Sequence, residues 1–112
     1  AISIAGCAMP VFHSDLCLSA LTQKKGELTL AEQALLRQNG SAFGCDVCQR
    51  ACPINRNIET TPFLPFQRDF LPELTLADLA GLSDRAFRKK YKARAFSWRG
   101  LGPVKRNLEL LE

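Results

Sequence analysis

The most informative absence in this 112-residue sequence is that of any long apolar run, because none approaches the roughly 20 residues that a membrane-spanning helix needs. Internal repeats and low-complexity tracts are missing as well. Hydrophobic residues nevertheless make up 46% of the chain, which is enough to bury one modest core. We therefore expect a soluble, folded, cytoplasmic protein that has no membrane partner.

The sequence also has little of what hydrolases and nucleotide-binding enzymes use. His13 is the only histidine, and no serine or carboxylate constellation lies near it, so we interpret it as structural. The seven glycines are scattered as turn and stop residues and do not form the G-x-G-x-x-G spacing of a phosphate-binding loop. These absences give no support to a hydrolase or to a dinucleotide-binding enzyme.

The five cysteines are the strongest positive signal, and three of them lie in residues 45–53, CDVCQRACP. Bacterial ferredoxins use the motif C-x2-C-x2-C-x3-C-P, in which the cysteine before proline ligates a second iron–sulfur cluster. Cys45, Cys48 and Cys52 occupy its last three cysteine positions, and Pro53 follows. The first position falls on Ala42, which cannot ligate metal, so a distant thiolate has to complete the set.

Cys17 is the best candidate for that distant ligand, since soft thiolates suit iron in both of its oxidation states. Other uses of the cysteines stay open. A four-cysteine zinc site usually has two C-x2-C pairs, whereas this chain has one. Disulfides require an oxidising compartment, and the odd cysteine count and the lack of a visible signal peptide argue against them. Cys7 has no partner at ligand spacing and is expected to be a small buried hydrophobe.

The net charge of +4 is distributed unevenly. Residues 83–106, called the basic segment below, carry nine basic residues and one acidic residue, while the rest of the chain carries six basic and ten acidic residues. The basic residues are Arg85, Arg88, Lys89, Lys90, Lys92, Arg94, Arg99, Lys105 and Arg106. Such a block attracts polyanions, usually nucleic acid, but it is equally typical of a solvated helix face.

Local patterns predict a mainly α fold with a small β-hairpin formed by residues 2–4 and 11–13. Cap and stop residues predict helices that begin at Ser14 or Asp15, at Thr29, at Thr75 and at Ser83, and a last helix that starts near Pro103. Asn39 and Gly40 are predicted to stop the helix from Thr29, and Pro53 prevents the backbone from continuing as a helix. Cys17 is expected on the first turn of the first of these helices. Between residues 58 and 72, three prolines predict an extended segment whose phenylalanines cover a cluster or dock on the core.

Residues 41–56, SAFGCDVCQRACPINR, closely resemble the second cluster motif of the epoxyqueuosine reductase family, whose members depend on cobalamin and iron–sulfur clusters and act in queuosine-tRNA synthesis. The order F-G-C-D-x-C-Q-x-x-C-P-x-N is much more specific than a generic ferredoxin motif. Residues 15–22, DLCLSALT, resemble the family's helix whose cysteine joins the same cluster. Residues 96–100, FSWRG, and residues 106–108, RNL, resemble its basic C-terminal region.

The resemblance implies that Cys17, Cys45 and Cys48 bind one 4Fe–4S cluster together with a cysteine upstream of Ala1, and that Cys52 completes another cluster. Residues 1–57 would be a partial ferredoxin-like domain of the two-cluster type. Residues 58–112 would form a wrapping segment and a basic C-terminal helical region.

The same resemblance implies partners outside the chain. Cobalamin and the catalytic acid would lie in an N-terminal domain that this sequence does not contain, an external donor would supply electrons, and the chain alone would not turn over substrate. The basic segment would then dock tRNA, with Arg99 as a phosphate contact and Trp98 as a stacking face. A core position explains Trp98 equally well. The candidate nucleic-acid residues are Arg88, Lys89, Lys90, Lys92, Arg94, Arg99, Lys105 and Arg106.

Two functions of other classes remain alternatives. In the first, the cysteines hold zinc or no metal, and the basic helices simply bind nucleic acid. In the second, the chain is a ferredoxin-type electron carrier for another reductase. The long basic tail after Leu82 argues against the second alternative, because a simple carrier does not need it.

Overall fold

The computed structural model describes residues 2–3, 11–64 and 68–112, and in this part the chain is mostly helical. The elements are β1 (Ile2–Ser3), β2 (Val11–Phe12), α1 (Leu18–Thr22), α2 (Leu30–Asn39), α3 (Val47–Ala51), α4 (Leu76–Leu79), α5 (Asp84–Lys90) and α6 (Leu101–Leu111). Short 3-10 helices lie at Ser14–Leu16, Pro53–Asn57 and Ala95–Ser97. Within the described ranges, every helix is too short or too polar to span a bilayer.

The two N-terminal strands pair in antiparallel fashion, with Ile2 opposite Phe12 and Ser3 opposite Val11. The segment that connects them, including Cys7, lies outside the described residues. The complete hairpin and the ferredoxin-like arrangement of residues 1–57 therefore stay predictions, as does the buried position of Cys7.

Helix α2 begins and ends where its sequence predicts. The Thr29 hydroxyl accepts a hydrogen bond from the Glu32 amide, and the Glu32 carboxylate accepts one from the Thr29 amide at 2.8 Å, which completes a capping box. At the other end, Gly40 adopts a left-handed conformation with φ of 67° and donates its amide to the Leu36 carbonyl. These contacts confirm both predicted ends.

The first helix differs from its prediction. Residues Ser14–Leu16 form a 3-10 turn, closed by the Cys17 amide on the Ser14 carbonyl, and α1 starts only at Leu18. Cys17 itself is extended, with φ of −84° and ψ of 114°, and this conformation interrupts the helix. Cys17 thus lies at the N-cap of α1 and not within its first turn.

The hydrophobic core lies among the last three helices. Its buried members are Leu79, Phe87, Tyr91, Val104 and Leu108. The predicted cap at the start of α5 is present, because the Ser83 hydroxyl accepts from the Ala86 amide. Helix α6 packs against α4 and α5 and also against α1 and α2, so it contacts elements on both sides of the predicted boundary at residue 57. The division into two domains stays a prediction.

The proline-containing segment does not dock its described aromatics on the core. Every described residue between positions 58 and 73 is exposed, and Phe63 and Phe70 are 56% and 77% exposed. The expectation of core docking is therefore wrong for these two residues, the alternative that they cover a cluster stays a prediction, and Phe66 lies outside the described residues. Prolines donate no backbone hydrogen bond, which disfavours a long helix in this segment.

Candidate metal centre

Cys17 lies where the chain passes from a 3-10 turn into α1. Its amide donates to the Ser14 carbonyl at 3.2 Å, and its carbonyl accepts from the Leu21 amide at 3.0 Å. Because both backbone groups are engaged, the conformation around the half-buried thiol is well defined.

Cys45, Cys48 and Cys52 are arranged around the short helix α3. Cys45 precedes the helix, Cys48 lies in its first turn, and Cys52 follows its last residue in an extended conformation with φ of −69° and ψ of 121°. Pro53 then starts a 3-10 helix, so the α-helix stops before the proline, as the sequence predicts. The Cys52 amide donates to the Gln49 carbonyl at 3.3 Å, so Cys52 stays attached to the end of α3.

The segment after Cys52 folds back onto α3. The Asn55 side-chain amide donates to the Gln49 carbonyl at 3.0 Å and to the Gln49 side-chain oxygen at 2.8 Å. These two contacts join the 3-10 helix to α3 without burying an apolar side chain, since neither element contains a buried residue.

The segment before Cys45 is attached to the rest of the protein. The Phe43 ring meets the Phe96 ring edge-on at a centroid distance of 6.3 Å, and Phe96 in turn packs on Tyr91 at 5.2 Å. The Gly44 amide donates to the Thr22 hydroxyl at 3.0 Å. Thr22 closes the helix that starts just after Cys17, so this hydrogen bond links the two cysteine-bearing segments. Thr22 has no signal of its own in the sequence, because no local pattern marks a threonine at the end of a helix as a long-range partner.

The donor set suits an iron–sulfur cluster in its chemistry. All four described cysteines are free thiols; three are half-buried and Cys48 is exposed. In the described ranges, however, no group of three or more histidine, cysteine or acidic side chains is close enough to hold a metal ion. The structure therefore places the predicted ligands on two linked segments without assembling three of them into one site.

Several cations of the basic segment are engaged within the protein. Arg88 pairs with Asp84 at 2.7 Å and donates to the Trp98 carbonyl, and Arg94 donates to the Asp69 carbonyl. The remaining internal contacts are Lys90 on the Asp78 carbonyl, Lys105 near Glu109 at 3.8 Å, and Arg106 on the Lys24 and Gly26 carbonyls. Lys89 and Lys92 are exposed and have no hydrogen-bond or ion-pair partner among the described residues.

Trp98 and Arg99 form a stacked pair beside α1. The Arg99 guanidinium carbon lies 3.9 Å from the centroid of the Trp98 ring, a cation–π geometry. Trp98 is 55% exposed, and its indole N–H donates to the Gln23 side-chain oxygen at 2.8 Å. Arg99 Nε is buried without a hydrogen-bond partner in the described part of the chain. Arg99 also lines an open cleft that contains Cys17 and Lys24.

Three carboxylates have lowered pKa values because hydrogen bonds favour their charged forms. The pKa of Asp84 is lowered chiefly by the Arg88 guanidinium and also by the Leu101 amide. The pKa of Asp78 is lowered by the amide and hydroxyl of Thr75, and that of Glu32 by Lys24 and the Thr29 amide. Burial lowers the pKa of Arg106, which nevertheless stays charged at neutral pH.

Comparison with known proteins identifies the relatives of this chain. No family model matches it. Epoxyqueuosine reductase of Staphylococcus aureus is 36% identical over 100 residues, which cover 85% of this chain and 24% of that protein. Epoxyqueuosine reductase from Bacillus subtilis has a similar structure, with a TM-score of 0.62 and 30% identity over 88% of this chain and 26% of its own.

A second solved structure shows an epoxyqueuosine reductase with a tRNA-Tyr epoxyqueuosine-modified stem loop. It gives a TM-score of 0.61 at 32% identity, again over 88% of this chain and 26% of that chain. The chain thus spans about a quarter of the length of the relatives it matches. By sequence and by fold, it is a homologue of the epoxyqueuosine reductase family and corresponds to a C-terminal part of that family's proteins.

Proposed function

We propose that the chain is the iron–sulfur, electron-transferring and tRNA-docking portion of an epoxyqueuosine reductase-like oxidoreductase. One observation carries this proposal: cysteines at cluster spacing lie in a chain of which 85% aligns with epoxyqueuosine reductase. The whole relatives are about four times as long, so we do not expect this chain to turn over substrate by itself.

The proposed ligands fall into two groups. Cys17, Cys45 and Cys48 bind one 4Fe–4S cluster together with a cysteine from outside this sequence, and Cys52 ligates another cluster. When bound, such clusters supply one-electron transfer. The residues of this chain would hold the thiolates: Cys45 lies just before α3, Cys48 lies in its first turn, and Cys52 follows its end in an extended conformation.

The partners follow from the same proposal. Cobalamin and the catalytic groups lie in an N-terminal domain outside this chain, an external reductant loads the clusters, and the complete protein works in the cytoplasm on queuosine-tRNA precursors. Electrons would leave the chain on the side where its thiols are accessible, and Cys48 is the exposed thiol among the four described.

The proposed tRNA-docking surface is the exposed part of the basic segment. Lys89 and Lys92 are not engaged elsewhere in the described part of the protein and can neutralise phosphates. Trp98 offers an exposed ring for stacking on an unpaired base, and Arg99 next to it offers a guanidinium for a phosphate. A relative with a bound tRNA stem loop supports this role.

Anaerobic reconstitution with iron and sulfide tests the cluster proposal. It should be carried out on the 112-residue chain and, in parallel, on the protein as its genome encodes it. We expect a broad visible charge-transfer absorbance that bleaches on reduction, together with bound iron and sulfide. If neither form takes up iron and sulfide, the electron-transfer proposal is wrong.

A zinc-binding or metal-free nucleic-acid-binding module is the second candidate. It is favoured by Lys89 and Lys92, which are exposed, have no hydrogen-bond or ion-pair partner among the described residues, and could bind nucleic acid without any cluster. Metal analysis of protein purified without oxygen separates the two candidates, because tightly bound zinc without iron would favour the second.

A further inference from the structure

The two cysteine-bearing segments meet at a buried polar network. Thr22, the last residue of α1, is 1% exposed. Its hydroxyl donates to the Ser19 carbonyl at 2.8 Å and accepts the Gly44 amide at 3.0 Å. Gly44 directly precedes Cys45, and Ser19 follows Cys17 by two residues, so a single hydroxyl connects the two segments.

Asn107 makes a second connection from α6. Its side chain is fully buried, and its amide nitrogen donates to the Thr22 carbonyl at 2.7 Å and to the Ala42 carbonyl at 2.8 Å. A side-chain amide has two donor hydrogens, and here each has its own acceptor. The same residue therefore fixes the end of the Cys17 helix and the approach to Cys45.

Arg106 completes the network. Its Nε and Nη2 donate to the Asn107 side-chain oxygen at 3.0 and 2.7 Å, which fixes the orientation of the amide. Its Nη1 donates to the carbonyls of Lys24 and Gly26 at 2.8 and 2.5 Å. These carbonyls belong to the turn after α1, so the guanidinium holds that turn against α6.

A hydrogen-bond network fixes the relative position of two segments more tightly than apolar contact does. Hydrogen bonds are directional and lose strength when the two groups shift, whereas hydrophobic contact tolerates sliding. Buried carbonyls without donors are costly, so any movement of residues 42–44 relative to α1 is resisted. The segment before Cys45 touches the apolar core among α4, α5 and α6 only through Ala42 and the Phe43–Phe96 ring contact, and no residue of the Cys17 segment belongs to that core.

We propose that Thr22 and Asn107 are positioning residues that set the spacing between the Cys17 and Cys45 segments and so preorganise their thiols for a common metal. This inference rests on the proposed function as far as the metal is concerned. Its structural half, the fixed register of the two segments, does not depend on a cluster.

The test uses Thr22→Val, which removes the hydroxyl at nearly constant volume, and Thr22→Ser, which keeps it. Asn107→Asp is the second informative variant, because it keeps an acceptor for Arg106 and loses both donors. Val104→Ala serves as the control, since it opens the buried core on the same helix without touching the network.

Two readouts are measured on each variant, in the protein as its genome encodes it. Hydrogen exchange reports the protection of the Gly44 amide. Titration with Cd²⁺ alone, followed through the thiolate-to-cadmium absorbance, reports how readily the thiols converge on a soft metal. We expect Thr22→Val and Asn107→Asp to speed Gly44 exchange and to weaken Cd²⁺ binding by about tenfold or more, the usual effect of losing an outer-shell partner.

Thr22→Ser is expected to match the parent protein in both readouts, and Val104→Ala to lower the unfolding midpoint while leaving Cd²⁺ affinity unchanged. Equal losses of affinity in Val104→Ala and Thr22→Val would overturn the proposal, since the effect would then be general destabilisation. Unchanged Gly44 exchange in Thr22→Val would overturn it as well, and so would a parent protein that binds no Cd²⁺. If Cd²⁺ binding depends on Thr22 but iron and sulfide are never taken up, the positioning role stands and the cluster proposal fails.

Discussion

The last two helices and the cysteine-bearing turn are built in opposite ways. Helices α5 and α6 bury Phe87, Val104 and Leu108 against each other and against α4. Helix α3 and the 3-10 helix after it bury no residue, and their contacts are hydrogen bonds such as that of Asn55 with Gln49. Apolar burial stabilises the first region, whereas the second depends on its attachments at Phe43 and Gly44. A mutation within α3 should therefore leave the stability of the first region unchanged.

The largest effect is expected from Phe87→Ala. Phe87 is completely buried, and its ring lies 5.2 Å from that of Tyr91 and 6.0 Å from that of Phe96. Truncation leaves a cavity and should lower the free energy of unfolding by about 3–5 kcal/mol, measured by urea denaturation. Cys48→Ser, an exposed change in the other region, is the control and should stay within about 0.5 kcal/mol. Comparable losses in both variants would mean that the two regions are not energetically distinct.

Cys45→Ser should show the opposite pattern to Phe87→Ala, because it should remove metal uptake and leave the stability of the fold unchanged. A serine oxygen is a poor replacement for a thiolate on iron, so we expect most of the reconstituted iron and the visible absorbance to be lost. Metal-free stability should change by less than about 0.5 kcal/mol, since Cys45 lies outside the core. Cys7→Ser is the matched control and should keep its iron. Full iron content in Cys45→Ser would remove this cysteine from the ligand set.

The double variant Lys89→Gln and Lys92→Gln tests whether the basic segment contacts RNA. Both lysines are exposed on or just after α5, on the outside of the well-packed region. Loss of two phosphate contacts should reduce the slope of log affinity against log salt by about 1–2 for a tRNA stem loop. Arg68→Gln, an exposed cation outside the segment, should leave the slope unchanged. A double variant with the parental affinity and slope would identify the segment as a solvated helix face.

Thr29→Ala concerns the cap of α2, which lies outside both regions, and should lower stability moderately. The Thr29 hydroxyl caps α2, and its removal leaves the Glu32 amide without this acceptor. We expect a loss of about 1 kcal/mol by urea denaturation. Thr29→Ser keeps the hydroxyl and should recover most of that loss. An equal loss in both variants would point to the methyl group and not to the cap.

The smallest effect concerns pH. The pKa of Asp84 is lowered from an ordinary value of 3.8 by Arg88 and the Leu101 amide. A carboxylate with a lowered folded-state pKa stabilises the protein above its ordinary pKa, and that contribution disappears as pH falls through the lowered value. Because Asp84 and Arg88 are exposed, the effect should be small and screened by salt. Asp84→Asn keeps an acceptor for Leu101 and should flatten the acid limb of a stability–pH curve; an unchanged limb would assign that limb to other carboxylates.

Features that depend on residues close together in the sequence were predicted more accurately than features that depend on contacts between distant residues. The caps at Thr29 and Ser83 and the stop at Gly40 were predicted correctly, because they depend on residues three or four positions away. The family resemblance of residues 41–56 was confirmed by relatives and solved structures. The start of α1 was misplaced by several residues, because an extended Cys17 carries no local signature. The exposure of Phe70 was not predicted, since an aromatic residue between prolines has no period that reveals the face it presents.

By itself, the sequence determined the helix caps at Thr29, Thr75 and Ser83, the helix stop at Gly40, the spacing of the cysteines and the family resemblance, since all of these are encoded in neighbouring residues. Only the tertiary structure decided that Arg106 binds the carbonyls of Lys24 and Gly26, some 80 positions away. It also decided that Thr22 and Asn107 join the two cysteine-bearing segments. The physical reason is that a polar side chain takes whichever donor or acceptor helix packing brings to it, and that packing depends on the whole chain.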